Sequence, residues 1–103
     1  MANSNVVNLY PVPTAGVDDQ TLSVADSAVQ FGTAFNASTK YIVLDVQTAD
    51  VRVTYDSSAP TTTNGHILFA GRSYTWAKAT AEAARFIRDG SVSATIHASE
   101  FTQ

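Results

Sequence analysis

The sequence predicts an all-β fold, a small antiparallel β-sandwich or barrel with an extended N-terminal arm. Apolar and polar residues alternate along most segments, as in strands with one buried face. Turn-forming residues separate these segments at intervals of roughly 8–12 residues, which is typical of sandwiches and barrels. Only residues 78–84 have helix propensity, and they are enough for one or two turns crossing between sheets. A chain of 103 residues accommodates one such domain.

The first 19 residues differ from the rest and are expected to form the arm, with the sandwich domain spanning residues 20–103. Pro11 and Pro13 fix φ and lack backbone donors, so this segment suits an extended arm better than a central strand. Its apolar side chains need a surface to rest on, either the flank of the domain or a neighbouring chain. Leu9, Tyr10 and Val12 are therefore candidate protein-interface residues.

The most regular alternation predicts a β-hairpin in the middle of the chain. Residues 41–47 have apolar side chains at every second position, residues 48–50 supply a turn, and residues 51–55 return with the same alternation. A second hairpin is expected at positions 89 and 90, because an Asp-Gly pair favours a two-residue turn between paired strands.

Further alternating segments bring the expected total to six to eight strands. Leu22 and Val24 alternate with polar residues near the start of the domain. Ile67 and Phe69 are expected to share one face of a short strand, and the next strand alternates similarly. Its apolar positions are Tyr74 and Trp76.

Composition excludes several partners. Hydrophobic residues make up 45% of the chain and charged residues 15%, which favours a folded protein with much neutral surface. The net charge is −3 and no Lys or Arg precedes Lys40, so no nucleic-acid partner is expected. No apolar run approaches the ~18 residues of a membrane span, and the N-terminus lacks the features of a secretory signal. We therefore expect a soluble protein made in a cytoplasm, with no membrane partner.

No catalytic, cofactor-binding or metal-binding residue is predicted. Cysteine is absent, and His66 and His97 have no clustered ligands around them, so each is expected on the polar side of a strand. Aspartates at turns have a local reason to be there, and no hydroxyl residue has an adjacent base in the sequence. Aromatic residues leave a sugar-binding platform open, although alternate positions on strands favour the core. The chain is expected not to be an enzyme and to use no cofactor.

Two arginines are further candidate interface residues. Arg85 and Arg88 bracket an apolar pair at positions 86 and 87 and are expected to point away from it. Arginine beside aromatic residues is a frequent anchor of protein interfaces.

One long run of residues resembles a known family. It comprises residues 51–56, 59–68 and 70–71, followed by 86–88, 90–91 and 94–97. This pattern is similar to that of small virion proteins of tailed bacteriophages, which are often encoded near the major capsid protein. The resemblance covers about residues 41–101 and leaves the arm unmatched. Ser57 stands where the pattern commonly has glycine, so a different turn geometry is expected after Asp56.

The resemblance implies a non-enzymatic capsid decoration or cement protein on the virion surface. Such a protein would form a homo-oligomer, most simply a trimer, and contact the major capsid protein or other virion proteins. Two alternatives stay open at this point. One is a component of the neck, tail or fibre base, and the other is a β-sandwich module that binds a carbohydrate or receptor.

Overall fold

Two antiparallel sheets pack into a sandwich in the computed structural model, which describes residues 11–102. The four-stranded sheet has the order β1-β7-β2-β5 and the three-stranded sheet the order β4-β3-β6. This confirms the predicted all-β fold and selects the sandwich. The elements are β1 (Gln20–Val24), β2 (Tyr41–Gln47), β3 (Val51–Thr54), β4 (His66–Leu68), β5 (Ser73–Ala77), α1 (Lys78–Ala83), β6 (Arg85–Arg88) and β7 (Ala94–Phe101).

The predicted central hairpin is wrong, because β2 and β3 belong to different sheets. β2 pairs with β5 and β7, whereas β3 pairs with β4 and β6. Both strands bury every second side chain, so the alternation of apolar and polar residues correctly predicted which side chains are buried. It contains no information about which strands pair with each other. The connection has no Asn-Gly or Asp-Gly pair. Instead, the Ala49 N–H donates to Gln47 O at 3.0 Å around Thr48, whose φ is 80°. This tight γ-turn redirects the chain into the opposite layer.

The hairpin predicted at the Asp-Gly pair is also wrong. β6 lies in the three-stranded sheet and β7 in the four-stranded sheet, so the segment between them crosses the sandwich. Gly90 does not adopt the positive φ that the favoured hairpin turn requires. The Asp89 carboxylate instead accepts a hydrogen bond from Arg52 Nε at 2.7 Å, which ties the crossing segment to β3.

The predicted helical turn is confirmed as a crossing between sheets. α1 follows β5 directly and is separated from β6 by one residue. A helix of six residues is not stable alone, and Ala81 and the adjoining Ala84 are fully buried, so packing holds it. Among residues 11–102 no helix is long and apolar enough to cross a membrane.

The core lies between the sheets and comes from alternate positions of the longer strands. The expected inward face of β5 is confirmed, since Tyr74 and Trp76 pack against the core. The expected face of β4 is wrong, because Leu68 is buried opposite Val51 while Ile67 and Phe69 are exposed. Three successive apolar residues in that strand made the alternation ambiguous. The fully buried larger side chains are Val24, Ile42, Leu44, Val46, Val51, Val53, Phe86 and Ile96.

The described part of the predicted arm lies against the end of β7. Pro13 is bridged to Phe101, and the Thr102 N–H donates to Val12 O at 2.8 Å. The Thr14 N–H donates to Glu100 O at 2.9 Å. Because β2 occupies the other side of β7 at this level, residues 12–14 extend the line of β1 along the sheet edge. Leu9 and Tyr10 lie outside the described residues.

Candidate interaction surfaces

The outer face of the four-stranded sheet is rich in hydroxyl groups, and we call it the hydroxyl face. Side chains alternate across a strand, so the positions between the core residues of each strand point outward. These outward positions carry small alcohols on three of the four strands and make a flat, mostly neutral surface. They are Thr21 and Ser23 on β1, Thr95 and Ser99 on β7, and Ser73 and Thr75 on β5.

One row of polar side chains crosses all four strands of the hydroxyl face. The register places Thr21, His97, Asp45 and Ser73 directly opposite one another. Thr21 Oγ1 lies 3.2 Å from His97 Nδ1, and Ser73 Oγ donates to Asp45. The sequence search found no base beside a hydroxyl, because Thr21 and His97 are 76 positions apart and only strand pairing brings them together.

Asp19 closes this network above His97. Its Oδ2 lies 3.1 Å from His97 Nε2, and hydrogen bonds from Ser99 and His97 hold the pKa of Asp19 below its usual range. The side chains of His97 and Asp19 are 39% and 51% exposed. The line from hydroxyl to imidazole to carboxylate is open to water, which screens the charges that would activate a nucleophile. We therefore interpret it as a surface hydrogen-bond network.

A buried carboxylate fastens the arm to the sandwich. Glu100 is 8% exposed, and its Oε1 accepts hydrogen bonds from the Asn36 N–H at 2.7 Å and the Thr39 hydroxyl at 2.8 Å. Thr14 Oγ1 lies 2.9 Å from Thr39 Oγ1 and must be the donor, since the Thr39 proton points to Glu100. Glu100 was not predicted from the sequence as a buried acceptor, although it occupies the next inward position of β7 after Ala98.

An aromatic pair marks the end of the hydroxyl face nearest the arm. The rings of Tyr41 and Phe101 stack with centroids 5.3 Å apart and planes at 8°. Pro13 is bridged to Phe101, and the neighbouring Val12 is 42% exposed. Of the predicted arm residues, Val12 thus lies beside an apolar edge of the hydroxyl face.

Arg85 and Arg88 lie on opposite faces of β6, so the expectation that both point away from the apolar pair is wrong. Side chains alternate along a strand, so two residues three positions apart lie on opposite faces. Arg85 therefore shares a face with Ile87, and Arg88 shares the other face with Phe86. Arg85 Nε is buried without a hydrogen-bond partner among the described residues. Arg85 also lines a surface cavity of ≈ 320 Å³ with residues 28–30. Because this nitrogen is closed to solvent, only the part of the Arg85 side chain that lines the cavity is open to a partner.

A second cavity, of ≈ 360 Å³, surrounds Tyr55 at the end of β3; we call it the Tyr55 pocket. The Tyr55 ring lies 5.4 Å from His66 and meets the edge of Trp76 at the same distance. Burial raises the pKa of the Tyr55 phenol, and hydrogen bonds from Ser58 hold the pKa of Asp56 below its usual range. The lining residues are Thr54, Tyr55, Asp56, Ser58, Asn64, Gly65 and His66.

The turn after Asp56 adopts a left-handed conformation. Ser57 has a φ of 67°, the region that glycine enters at least cost. Ser57 therefore adopts a backbone conformation that glycine favours.

The two histidines lie in separate environments. His66 contacts the Tyr55 ring, and His97 bonds to Asp19 and Thr21. Within residues 11–102 no three His or acidic side chains converge in a way that could hold a metal ion. Comparison with known proteins found no matching family model, no matching curated protein and no matching solved structure.

Proposed function

We propose that this chain is a non-enzymatic virion structural protein of a tailed bacteriophage, a capsid decoration or cement protein that binds its neighbours through the hydroxyl face and the adjoining arm. The observation that carries the proposal is that the carboxylates on that face already accept hydrogen bonds from its own side chains. Asp45 is bonded by Ser73, and Asp19 is bonded by His97 and Ser99. What remains for a partner is mostly hydroxyl and apolar groups, beside the half-exposed Asp19.

The size of the face explains why the arm would take part. The four strands have five, eight, seven and five residues, and with a rise of about 3.3 Å per residue and a spacing of about 4.8 Å they cover roughly 400 Å². A specific interface buries about 800 Å² on each partner. The hydroxyl face therefore falls short alone. Val12 and the Tyr41–Phe101 pair adjoin it and would extend the contact toward residues 1–10.

The resemblance of residues 41–101 to small virion proteins supports the assignment of the assembly. This span contains three of the four strands that form the hydroxyl face. The proposed partners are the major capsid protein and further copies of this chain, arranged as a trimer. Repetition over a shell lets modest individual contacts add through multivalency. A copy number matching the capsid lattice supports this location, and a copy number matching a single ring points to the neck, tail or fibre base.

A steric block on the hydroxyl face tests the proposal. Thr75 is exposed on the outer side of the edge strand β5, so Thr75→Arg should leave the core unchanged and place a long charged side chain in the contact. Its matched control is Ser91→Arg in the exposed segment between β6 and β7. We expect Thr75→Arg protein to lose binding to depleted virions while Ser91→Arg protein still binds. Equal binding by the two variants would refute the hydroxyl face as the contact.

A salt wash tests the chemistry of the attachment. Buried neutral contacts resist ionic strength, because screening acts mainly on exposed charges. The protein should stay on virions in molar salt and leave on heating or in denaturant. Arg85→Ala should weaken attachment by about 1–2 kcal/mol if the Arg85 side chain that lines the cavity with residues 28–30 anchors a partner. Full release by salt alone would mean that electrostatic contacts hold the protein.

A further inference from the structure

The geometry points to a binding site for a neutral saccharide at the Tyr55 pocket, a function beyond the proposed structural role. The first element of the site is a fixed aromatic surface. Tyr55 is 39% exposed and meets the edge of Trp76, which stacks on the buried Phe86 at 5.9 Å. The exposed ring is thus braced against the core and needs little ordering when a ligand stacks on it.

Unused polar groups surround this ring. Asn64 makes hydrogen bonds with Thr61 through its backbone, and its side-chain amide has no hydrogen-bond partner among residues 11–102. Among the described residues neither the Tyr55 hydroxyl nor the His66 ring has a hydrogen-bond partner, and Asp56 uses Oδ1 alone. Donors and acceptors in a ring around an aromatic face match sugar hydroxyls, which both donate and accept.

The loop that carries these groups is preorganised. Asp56 Oδ1 accepts hydrogen bonds from the backbone and side chain of Ser58, and Thr54 Oγ1 donates to Ser58 O. Gly65 has a φ of 126°, and a Cβ there would lie 3.1 Å from Val53 O. Glycine therefore lets the loop lie directly against β3 just before His66.

Charge selects a neutral ligand. The lowered pKa of Asp56 keeps this exposed carboxyl ionised near neutral pH. No Lys or Arg lines the pocket, and the nearby Arg52 already donates to Asp89 and to Gly65 O. An anionic sugar would meet an unbalanced negative charge at close range. A neutral hexoside or N-acetylhexosaminide would instead give Asp56 a hydroxyl donor.

The test is titration of the ¹⁵N-labelled full-length protein with methyl glycosides of glucose, galactose, mannose and N-acetylglucosamine, followed by amide chemical shifts. We expect at least one glycoside to shift Tyr55, Asn64 and His66 with a Kd of order 1 mM, common for a single shallow site. Tyr55→Ala and Asn64→Ala should each weaken binding at least tenfold, whereas Tyr55→Phe keeps the stacking surface. Tyr55→Ala also removes the contact between Tyr55 and Trp76, whereas Asn64→Ala leaves that contact in place and tests the site separately.

Phe69→Ala is the matched control, because Phe69 is an exposed aromatic residue outside the pocket, with Arg72 over its ring at 5.7 Å. It should bind like the wild type. The proposal is overturned if no glycoside shifts the three amides, or if Tyr55→Ala and Phe69→Ala have equal affinities. It is also overturned if only the major capsid protein shifts these amides, since the pocket would then be part of a protein contact.

Discussion

Glu100 Oε1 and Thr39 Oγ1 are 2.8 Å apart inside the sandwich, and through them the end of β7 is joined to both the arm and the loop before β2. The same carboxylate oxygen accepts the Asn36 N–H. A buried carboxylate is costly unless it is hydrogen-bonded, and these two donors offset that cost.

Removing this acceptor should destabilise the protein. Glu100→Ala leaves the Asn36 N–H and the Thr39 hydroxyl without their partner, which costs about 1–3 kcal/mol of unfolding free energy. Urea denaturation measures the change. Glu82→Ala is the matched control, because Glu82 is exposed on α1, and it should be nearly neutral. Equal stabilities of the two variants would show that Glu100 is not a structural acceptor.

Two truncations of the arm, one ending at residue 10 and one at residue 19, should have different effects. Deleting residues 2–10 keeps Thr14 and its bonds to Glu100 and Thr39, so the domain should remain folded and bind virions more weakly. Deleting residues 2–19 removes those bonds and uncovers Glu100, so the midpoint of urea unfolding should fall as well. Unfolding curves and binding to depleted virions separate the two effects. If the shorter deletion binds virions like the full chain, residues 2–10 have no part in attachment.

The sequence was sufficient for the fold class and for most strand positions, because alternation in burial is written locally. β2, β5 and β7 show it, and α1 was expected as a crossing between sheets. Strand partners were not predictable in the same way. Residues 48–50 and the Asp-Gly pair at 89 and 90 resemble hairpin turns, yet both connect opposite sheets. Pairing depends on long-range packing, which no short window contains.

In the candidate sites, too, long-range contacts were not predictable from the sequence. No site was predicted in the loop between Asp56 and His66, although it lines the Tyr55 pocket. The row from Thr21 to His97 and the bond from Thr39 to Glu100 join residues that are 76 and 61 positions apart. Only Glu100 left a local sign, as a charged residue at an inward position of β7. Residues 9 and 10, predicted for the interface, stay a prediction.

Replacing Ser57 by glycine should stabilise the fold. Ser57 has a φ of 67°, where a side chain meets the backbone and glycine does not. Ser57→Gly relieves this strain but adds freedom to the unfolded chain, so the net gain should be about 0.5–1 kcal/mol in urea denaturation. Ser91→Gly is the control at an exposed position with negative φ and should be neutral or destabilising. If Ser57→Gly destabilises the protein, the serine contributes more free energy to folding than its backbone strain costs.

The bond between Asp19 and His97 should give stability a specific pH dependence. Hydrogen bonds from Ser99 and His97 lower the pKa of Asp19 from 3.8 in the folded state, so the folded protein prefers the carboxylate more than the unfolded chain does. The resulting stabilisation is complete above pH 4 to 5 and is lost as pH falls through the lowered pKa. Asp19→Asn should therefore be less stable than the wild type at pH 6, and this difference should shrink by pH 3.

The effect should be small and should decrease with salt, because the Asp19 side chain is 51% exposed. Asp18→Asn changes an exposed neighbouring carboxylate and is the matched control. Urea unfolding of the three proteins at both pH values measures the differences, and a pH-independent gap between Asp19→Asn and the wild type would contradict the stabilising charge on Asp19.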